Sequence, residues 1–274
     1  IPDLAALTGL EGDYTFSIDL TSLRDEAGNA GAGSAQVEWQ LDQTTPQPAS
    51  NLRVSPDTGE SDTDGLTRVL DLVVQGDVAE ASLDITVRDV SAERTFGGAI
   101  ITDTSFTCPA TLGGPGLHRM RVRSTDGAGN QADAFFDVFI DLTPPALSAF
   151  SVVESPRSTP LTDVDLTFSE ALQASTLARD DITLQHDGLP VDLMGMQITA
   201  LSASSFRLDP LPVPPSPEGN YELTVAPAGV MDAAGNAGVD SPDLNILRWT
   251  VDQTPPEVLG LADDPLPRRS KTWT

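Results

Sequence analysis

Basic side chains are scarce in this sequence: 15 Lys and Arg stand against 41 Asp and Glu in 274 residues, a formal charge of −26. Such a balance argues against nucleic acid or an anionic membrane as partner, since both demand a cationic surface. Cysteine is nearly absent; Cys108 stands alone, so no internal disulfide can form, and it is read as core packing. His118 and His186 are the sole histidines, and with one cysteine they cannot build a zinc quartet. No apolar run approaches the roughly 18 residues of a membrane-spanning helix, so direct membrane insertion is not expected. No nucleophile elbow is present, and Gly113-Gly114-Pro115-Gly116 lacks the Lys and helix of a phosphate loop, so it is read as a turn. Nothing in the sequence supports an enzyme. No signal peptide is visible and the first residue is Ile1, so the chain is expected to be an excerpt that begins and ends within domains.

What the sequence does contain is punctuation and repetition. Gly and Pro number 22 each and fall in short clusters between alternating apolar runs, the pattern of many short strands joined by turns. One pentapeptide recurs: Asp25-Glu26-Ala27-Gly28-Asn29, Asp126-Gly127-Ala128-Gly129-Asn130 and Asp232-Ala233-Ala234-Gly235-Asn236. Each copy precedes an alternating strand that closes on an acid, at Asp42, Asp141 and Asp252, the last two leading into Thr-Pro-Pro. Asn130 lies 101 residues after Asn29, and Asn236 lies 106 after Asn130. A period near one hundred is too long for a solenoid and matches a tandem array of immunoglobulin-sized modules. The expected fold is therefore all-β: tandem immunoglobulin-like β-sandwiches joined by short Pro-containing linkers.

The chain divides into four segments. Residues 1–46 are read as the back end of a truncated domain, a hairpin of Tyr14, Phe16, Ile18 against Val37, Trp39, Leu41 that is marginal alone. Residues 47–145 form a complete domain, with strands expected at Leu52–Val54, Val69–Val74, Leu83–Val87, Thr95–Ile101, Thr104–Cys108, Leu117–Arg123 and Phe136–Ile140. Residues 146–256 form a second, with a helical turn expected at Leu172–Leu177 and the same closing hairpin, Tyr221–Val225 with Leu247–Val251. Residues 257–274 open a further domain, in which Trp273 and the basic Arg268, Arg269 and Lys271 have no fold to place them.

Topology then locates the acids. In a seven-strand sandwich the loop before the last strand lies at the pole where the domain begins, and the first loop lies at the opposite pole. Asp126 and Asn130 should thus face Asp42, while Asp232 and Asn236 should face Asp141. The acidic loop Ser55–Gly65, with Asp57, Asp62 and Asp64, should reach that second position from the other side. Ca²⁺ takes about 6–8 oxygens from carboxylates, Asn side chains and carbonyls, and it would relieve the like-charge repulsion of gathering them. Each feature also has a local reading: Asp-x-x-Gly-Asn makes a good turn, the acidic run makes a solvated loop, and an Asp can simply end a strand before proline.

The segment Ser55–Thr67 (SPDTGESDTDGLT), the Asp-x-Ala-Gly-Asn turns and the Val-Asp-x-Thr-Pro-Pro endings resemble the bacterial Ig-like repeats of large surface adhesins and secreted proteins. Ser169-Glu170 with the Tyr221–Val225 and Asp232–Asn236 hairpin resembles a related type from surface-layer and adhesin proteins. The resemblance implies an extracellular or cell-surface spacer whose partners are neighbouring Ig-like domains of the same chain, with Ca²⁺ at the junctions in many relatives and in others none. It also implies that any host or surface ligand is met through a module outside this stretch. Two alternatives remain: accessory modules of a secreted multidomain hydrolase, or a carbohydrate- or receptor-binding module. The second is disfavoured by aromatics at 5%, too few for an exposed stacking platform.

Overall fold

The computed structural model describes residues 8–257 and divides into two compact units. Unit one comprises Ile1–Pro144 with Met231–Asn236; unit two comprises Pro145–Val230 with Ala237–Thr274. The expected start of a further domain at 257–274, including Trp273, lies outside the described residues apart from Glu257.

Unit one opens with a hairpin of β1 (Gly12–Asp19) and β2 (Ser34–Leu41), paired so that Tyr14, Phe16 and Ile18 face Trp39, Val37 and Ala35. None of its strand residues is fully buried, and Tyr14 stacks across the hairpin on Trp39, with centroids 5.5 Å apart. The sandwich after it is made of β3 (Ser50–Ser55), β4 (Leu66–Thr67), β5 (Asp71–Asp77), β6 (Asp84–Asp89), β7 (Arg94–Phe96), β8 (Ile100–Thr102), β9 (Ser105–Thr111), β10 (Gly116–Thr125) and β11 (Gln131–Ile140). One sheet has the order β4-β11-β10-β6-β7 and the other β3-β5-β9-β8. Because side chains alternate across a strand, each sheet turns one row inward. Val54, Leu72, Val74, Phe106 and Cys108 from one sheet meet Ile85, Val87, Met120, Val122, Val138 and Ile140 from the other in one core. Each large side chain buried this way contributes roughly 1.5–3 kcal/mol.

The run Thr95–Ile101, expected as one strand, is broken. Gly97 and Gly98, the latter at φ +82°, let the chain leave β7 beside β6 and enter β8 beside β9, in the other sheet. The expected strand at Val69–Val74 likewise begins only at Asp71, after the short parallel strand β4 has paired with β11.

Unit two is a sandwich of β12 (Leu147–Phe150), β13 (Val164–Phe168), β14 (Ile182–His186), β15 (Leu189–Val191), β16 (Gln197–Ala200), β17 (Ser205–Asp209), β18 (Gly219–Val225) and β19 (Ile246–Val251). Its sheets run β12-β13-β17-β16 and β15-β14-β18-β19, around a core that includes Leu166, Phe206, Leu208, Leu223 and Trp249. The helical turn expected at Leu172–Leu177 is a single 3₁₀ turn, Ala174–Thr176. Both units are thus all-β sandwiches.

Candidate functional site

The recurring pentapeptide forms the same closed turn three times. In each, the first Asp accepts from the Asn backbone N–H through Oδ1 at 2.8 Å and from the Asn side-chain Nδ2 through Oδ2 at 2.8–2.9 Å. The backbone closes the loop, Asp N–H to Asn carbonyl at 3.1 Å in every copy. The intervening glycines sit at φ +87° (Gly28), +93° (Gly129) and +89° (Gly235), a region that a side chain would strain. The Asn hydrogen bond holds the carboxyls of Asp25 and Asp126 below the usual carboxylate range.

Two of these turns reach outward with the remaining Asn hydrogen. Asn130 Nδ2 donates to the Asp42 carbonyl at 3.2 Å, and Asn236 Nδ2 donates to the Asp141 carbonyl at 3.0 Å. The structure therefore brings Asp126 and Asn130 to Asp42, and Asp232 and Asn236 to Asp141. It joins them through a backbone carbonyl rather than through the Asp42 or Asp141 carboxylate. Those carboxylates instead cap the backbone two residues on: Asp42 Oδ1 accepts from Thr44 N–H and Asp141 Oδ1 from Thr143 N–H, both at 2.9 Å. One carboxylate oxygen each of Asp141 and Asp232 nonetheless lie within 4.8 Å, and Asp232 is 2% exposed.

The acidic loop meets the third turn with other groups than its acids. Thr58 Oγ1 donates to the Ala234 carbonyl at 2.7 Å and Glu60 N–H to the Ala233 carbonyl at 3.3 Å. A Cβ on Gly59 would stand 2.0 Å from the Ala233 oxygen, so only glycine admits this approach. Asp62 and Asp64 are exposed, and Asp64 caps Leu66 N–H at 2.9 Å. Asp57 accepts from Gly65 N–H through Oδ2 at 2.9 Å, while its Oδ1 is enclosed without a hydrogen-bond partner. Burial pushes its carboxyl up, with the charges of Asp64 and Asp62 adding to that. No cluster of three acids, His or Cys among the described residues includes Asp42, Asp57, Asp62, Asp64 or Asp126.

For Ca²⁺ the two positions differ. At Asp126 and at Asp232 alike both carboxylate oxygens are engaged by the Asn of the turn, so the difference lies in what stands beside them. At Asp141 and Asp232 two carboxylates stand close together with one of them buried, a donor set suited to a hard cation.

Sequence reading missed the corner residues of the sandwiches. Tyr14 OH donates to the Leu10 carbonyl and Tyr221 OH to the Pro217 carbonyl at 2.8 Å, each four residues upstream, the tyrosine-corner bond of immunoglobulin-type folds. Both tyrosines stack on the Trp opposite them, Trp39 and Trp249. In the middle sandwich His118 takes the position: its Nε2 lies 2.9 Å from the Gly114 carbonyl and its strand partner is Val138. Asp89 completes this corner, with its Oδ2 2.6 Å from His118 Nδ1. Its Oδ1 accepts from Ser91 N–H at 2.9 Å and Ala92 N–H at 3.2 Å. The signal was available: His118 shares the inward parity of Met120 and Val122, and a buried histidine demands polar partners.

His118 faces Asp89 and the Gly114 carbonyl, and His186 Nε2 lies 3.0 Å from the Glu218 carbonyl. Cys108 is fully buried, and that burial raises its thiol pKa, the opposite of a nucleophile's need. Tyr221 and Trp249 are 5% and 4% exposed, so they form core rather than a stacking platform. Within the described residues no helix is long and apolar enough to cross a membrane.

Among known families, residues 44–142 match the one described as bacterial Ig-like domain. No curated protein matches. Among solved structures, an I-band fragment of titin is similar at 11% identity and TM-score 0.34, over 89% of this chain and 75% of that one. A titin tandem is similar at 8% identity and TM-score 0.32, over 69% of this chain and 61% of that one. A Bacteroides ovatus protein of a mixed-linkage glucan utilization locus, solved with a mixed-linkage heptasaccharide, is similar at 14% identity and TM-score 0.23, over 89% of this chain and 54% of that one.

Proposed function

With residues 44–142 matching a bacterial Ig-like domain, we propose that the chain is a non-catalytic spacer of a secreted or cell-surface bacterial protein of adhesin type. Domains of this family are common in extracellular and surface proteins. A spacer must hold a distal module away from its anchor, so its connectors must resist bending. One observation carries the reading: Asn130 ties its closed turn to the Asp42 carbonyl at 3.2 Å, and Asn236 repeats the bond on Asp141 at 3.0 Å. The stiff prolines just beyond, Pro46 and Pro144-Pro145, favour the same end by fixing φ. Ca²⁺ held by Asp141 and Asp232 would add a second clamp by neutralising two adjacent carboxylates.

Residual dipolar couplings on the full chain, recorded in Ca²⁺ and in EDTA, test this. The β1–β2 hairpin is expected to share one alignment frame with its adjoining sandwich and to lose it in Asn130→Ala. A hairpin that tumbles freely in the unsubstituted chain under both conditions refutes the spacer. A calorimetric titration without heat at millimolar Ca²⁺ removes the ion and leaves the hydrogen-bonded connector.

A further inference from the structure

The outward face of the β4-β11-β10-β6-β7 sheet runs against the charge of the chain. It carries Arg119, Arg121 and Arg123 on β10 and Arg88 on β6, four of the 15 basic side chains of a sequence with net charge −26. Arg119 is paired with Asp137 at 2.9 Å and Arg123 with Asp133 at 2.7 Å. Between those pairs the register sets Arg121 directly opposite Arg88 on one side and Phe135 on the other. Among the described residues neither Arg88 nor Arg121 has an ion-pair partner, and Arg121 Nε is enclosed without a hydrogen bond. Like charges directly opposite on a sheet are destabilising, and the Asp133 carboxylate that feels the Arg121 charge is already held by Arg123, so this pair favours an external anion.

Apolar groups border it. Phe135, Phe139 and Leu117 are 48%, 45% and 59% exposed, and Phe139 stands in a cross-strand row with Leu117 and Leu66. Exposed Phe beside Arg is the composition of a protein–protein interface core, whereas sugar platforms favour Trp and Tyr, which this face lacks.

We propose that this face docks a second copy of the chain through that copy's acidic loop, Ser55–Gly65. The loop exposes Glu60, Asp62 and Asp64. It ends at the edge of the same sheet, where the Gly65 carbonyl accepts from Phe139 N–H at 2.8 Å and β4 begins. From β4 to β6 is three strand spacings, about 14 Å at the usual interstrand distance. The loop therefore lies at the edge of the sheet that carries the arginines, and in the proposed dimer a two-fold axis between two facing copies sets each loop over the other's Arg88 and Arg121. Such an isologous contact closes as a dimer. At physiological salt the screening length is about 8 Å, so the local opposite charges outweigh repulsion between the distant acidic surfaces.

Sedimentation equilibrium of the full chain in about 0.15 M NaCl, over a rising concentration series, tests the proposal. A monomer–dimer equilibrium is expected, weakened at least about tenfold by Arg88→Glu with Arg121→Glu. Asp62→Lys with Asp64→Lys should weaken it likewise, and mixing the two variants should restore a heterodimer. Circular dichroism confirms that the variants fold. A chain that stays monomeric, a dimer indifferent to the arginines, or a mixture that fails to associate each overturns the proposal. Arginine-dependent retention on alginate by a monomeric chain would do the same and reassign the face to an acidic polysaccharide.

Discussion

Replacing His118 with alanine probes the corner at which the middle sandwich departs from the hairpin before it and the sandwich after it. Asp89 is 1% exposed and His118 7%, and the ring bridges the carboxylate and the Gly114 carbonyl at 2.6 and 2.9 Å. Both ring nitrogens face oxygen atoms inside the sandwich. Truncation removes one partner of a buried pair, which typically costs about 3–5 kcal/mol because the survivor is left buried without compensation. The N–H groups of Ser91 and Ala92 still serve Asp89 Oδ1, which favours the lower end, about 3 kcal/mol. Against a total stability of about 5–15 kcal/mol for a domain, that is a large share. Asp89→Asn keeps those two N–H bonds and should cost less. The double variant should recover part of the loss, with a coupling energy of about 1 kcal/mol or more. His118→Tyr should fail to rescue, although tyrosine serves at residues 14 and 221, since Asp89 would remain unpaired. Urea unfolding of the full chain, combined with amide hydrogen exchange of peptides from β6 and β10, isolates this sandwich from the other modules. A loss below about 1 kcal/mol for His118→Ala, or strictly additive costs, would refute the reasoning.

Two further outcomes rest on the acidic loop. Because burial raises the Asp57 carboxyl above its unfolded value, the ionised form is disfavoured in the fold. The penalty is fully present above the folded pKa and absent below the unfolded one near 3.9. Asp57→Asn should therefore stabilise the sandwich at neutral pH, by less than about 1 kcal/mol after solvent screening, and the gain should vanish as pH falls toward 4. Paired urea titrations at pH 7 and pH 4 check it, and an equal effect at both would count against it. Gly59→Ala should unseat the Asp232–Asn236 turn, since its Cβ would stand 2.0 Å from the Ala233 oxygen at a backbone φ of +109°. Faster amide exchange at residues 231–236, with the sandwich core unchanged, is the expected signature, and unaltered exchange there would contradict it.

The sandwich class, the hairpin of Tyr14 against Trp39 and the three Asp-x-x-Gly-Asn turns are all legible in the sequence. Each depends on local rules: alternation with period two along a strand, and glycine at positive φ where the chain must reverse. The repeat spacing near one hundred residues is a property of pattern alone, and it leads to the immunoglobulin-type module without any tertiary information. Tertiary structure decides whatever depends on register between distant strands. It sets Asp89 under His118, 29 positions apart, and Arg88 opposite Arg121. It breaks Thr95–Ile101 at Gly97-Gly98 because the two halves find partners in different sheets. It also turns Asn130 and Asn236 onto the Asp42 and Asp141 backbone carbonyls, and it brings the Asp141 carboxylate beside that of Asp232. A local turn motif declares its own closure, but the direction of its one spare hydrogen is settled only by the groups that the fold brings alongside.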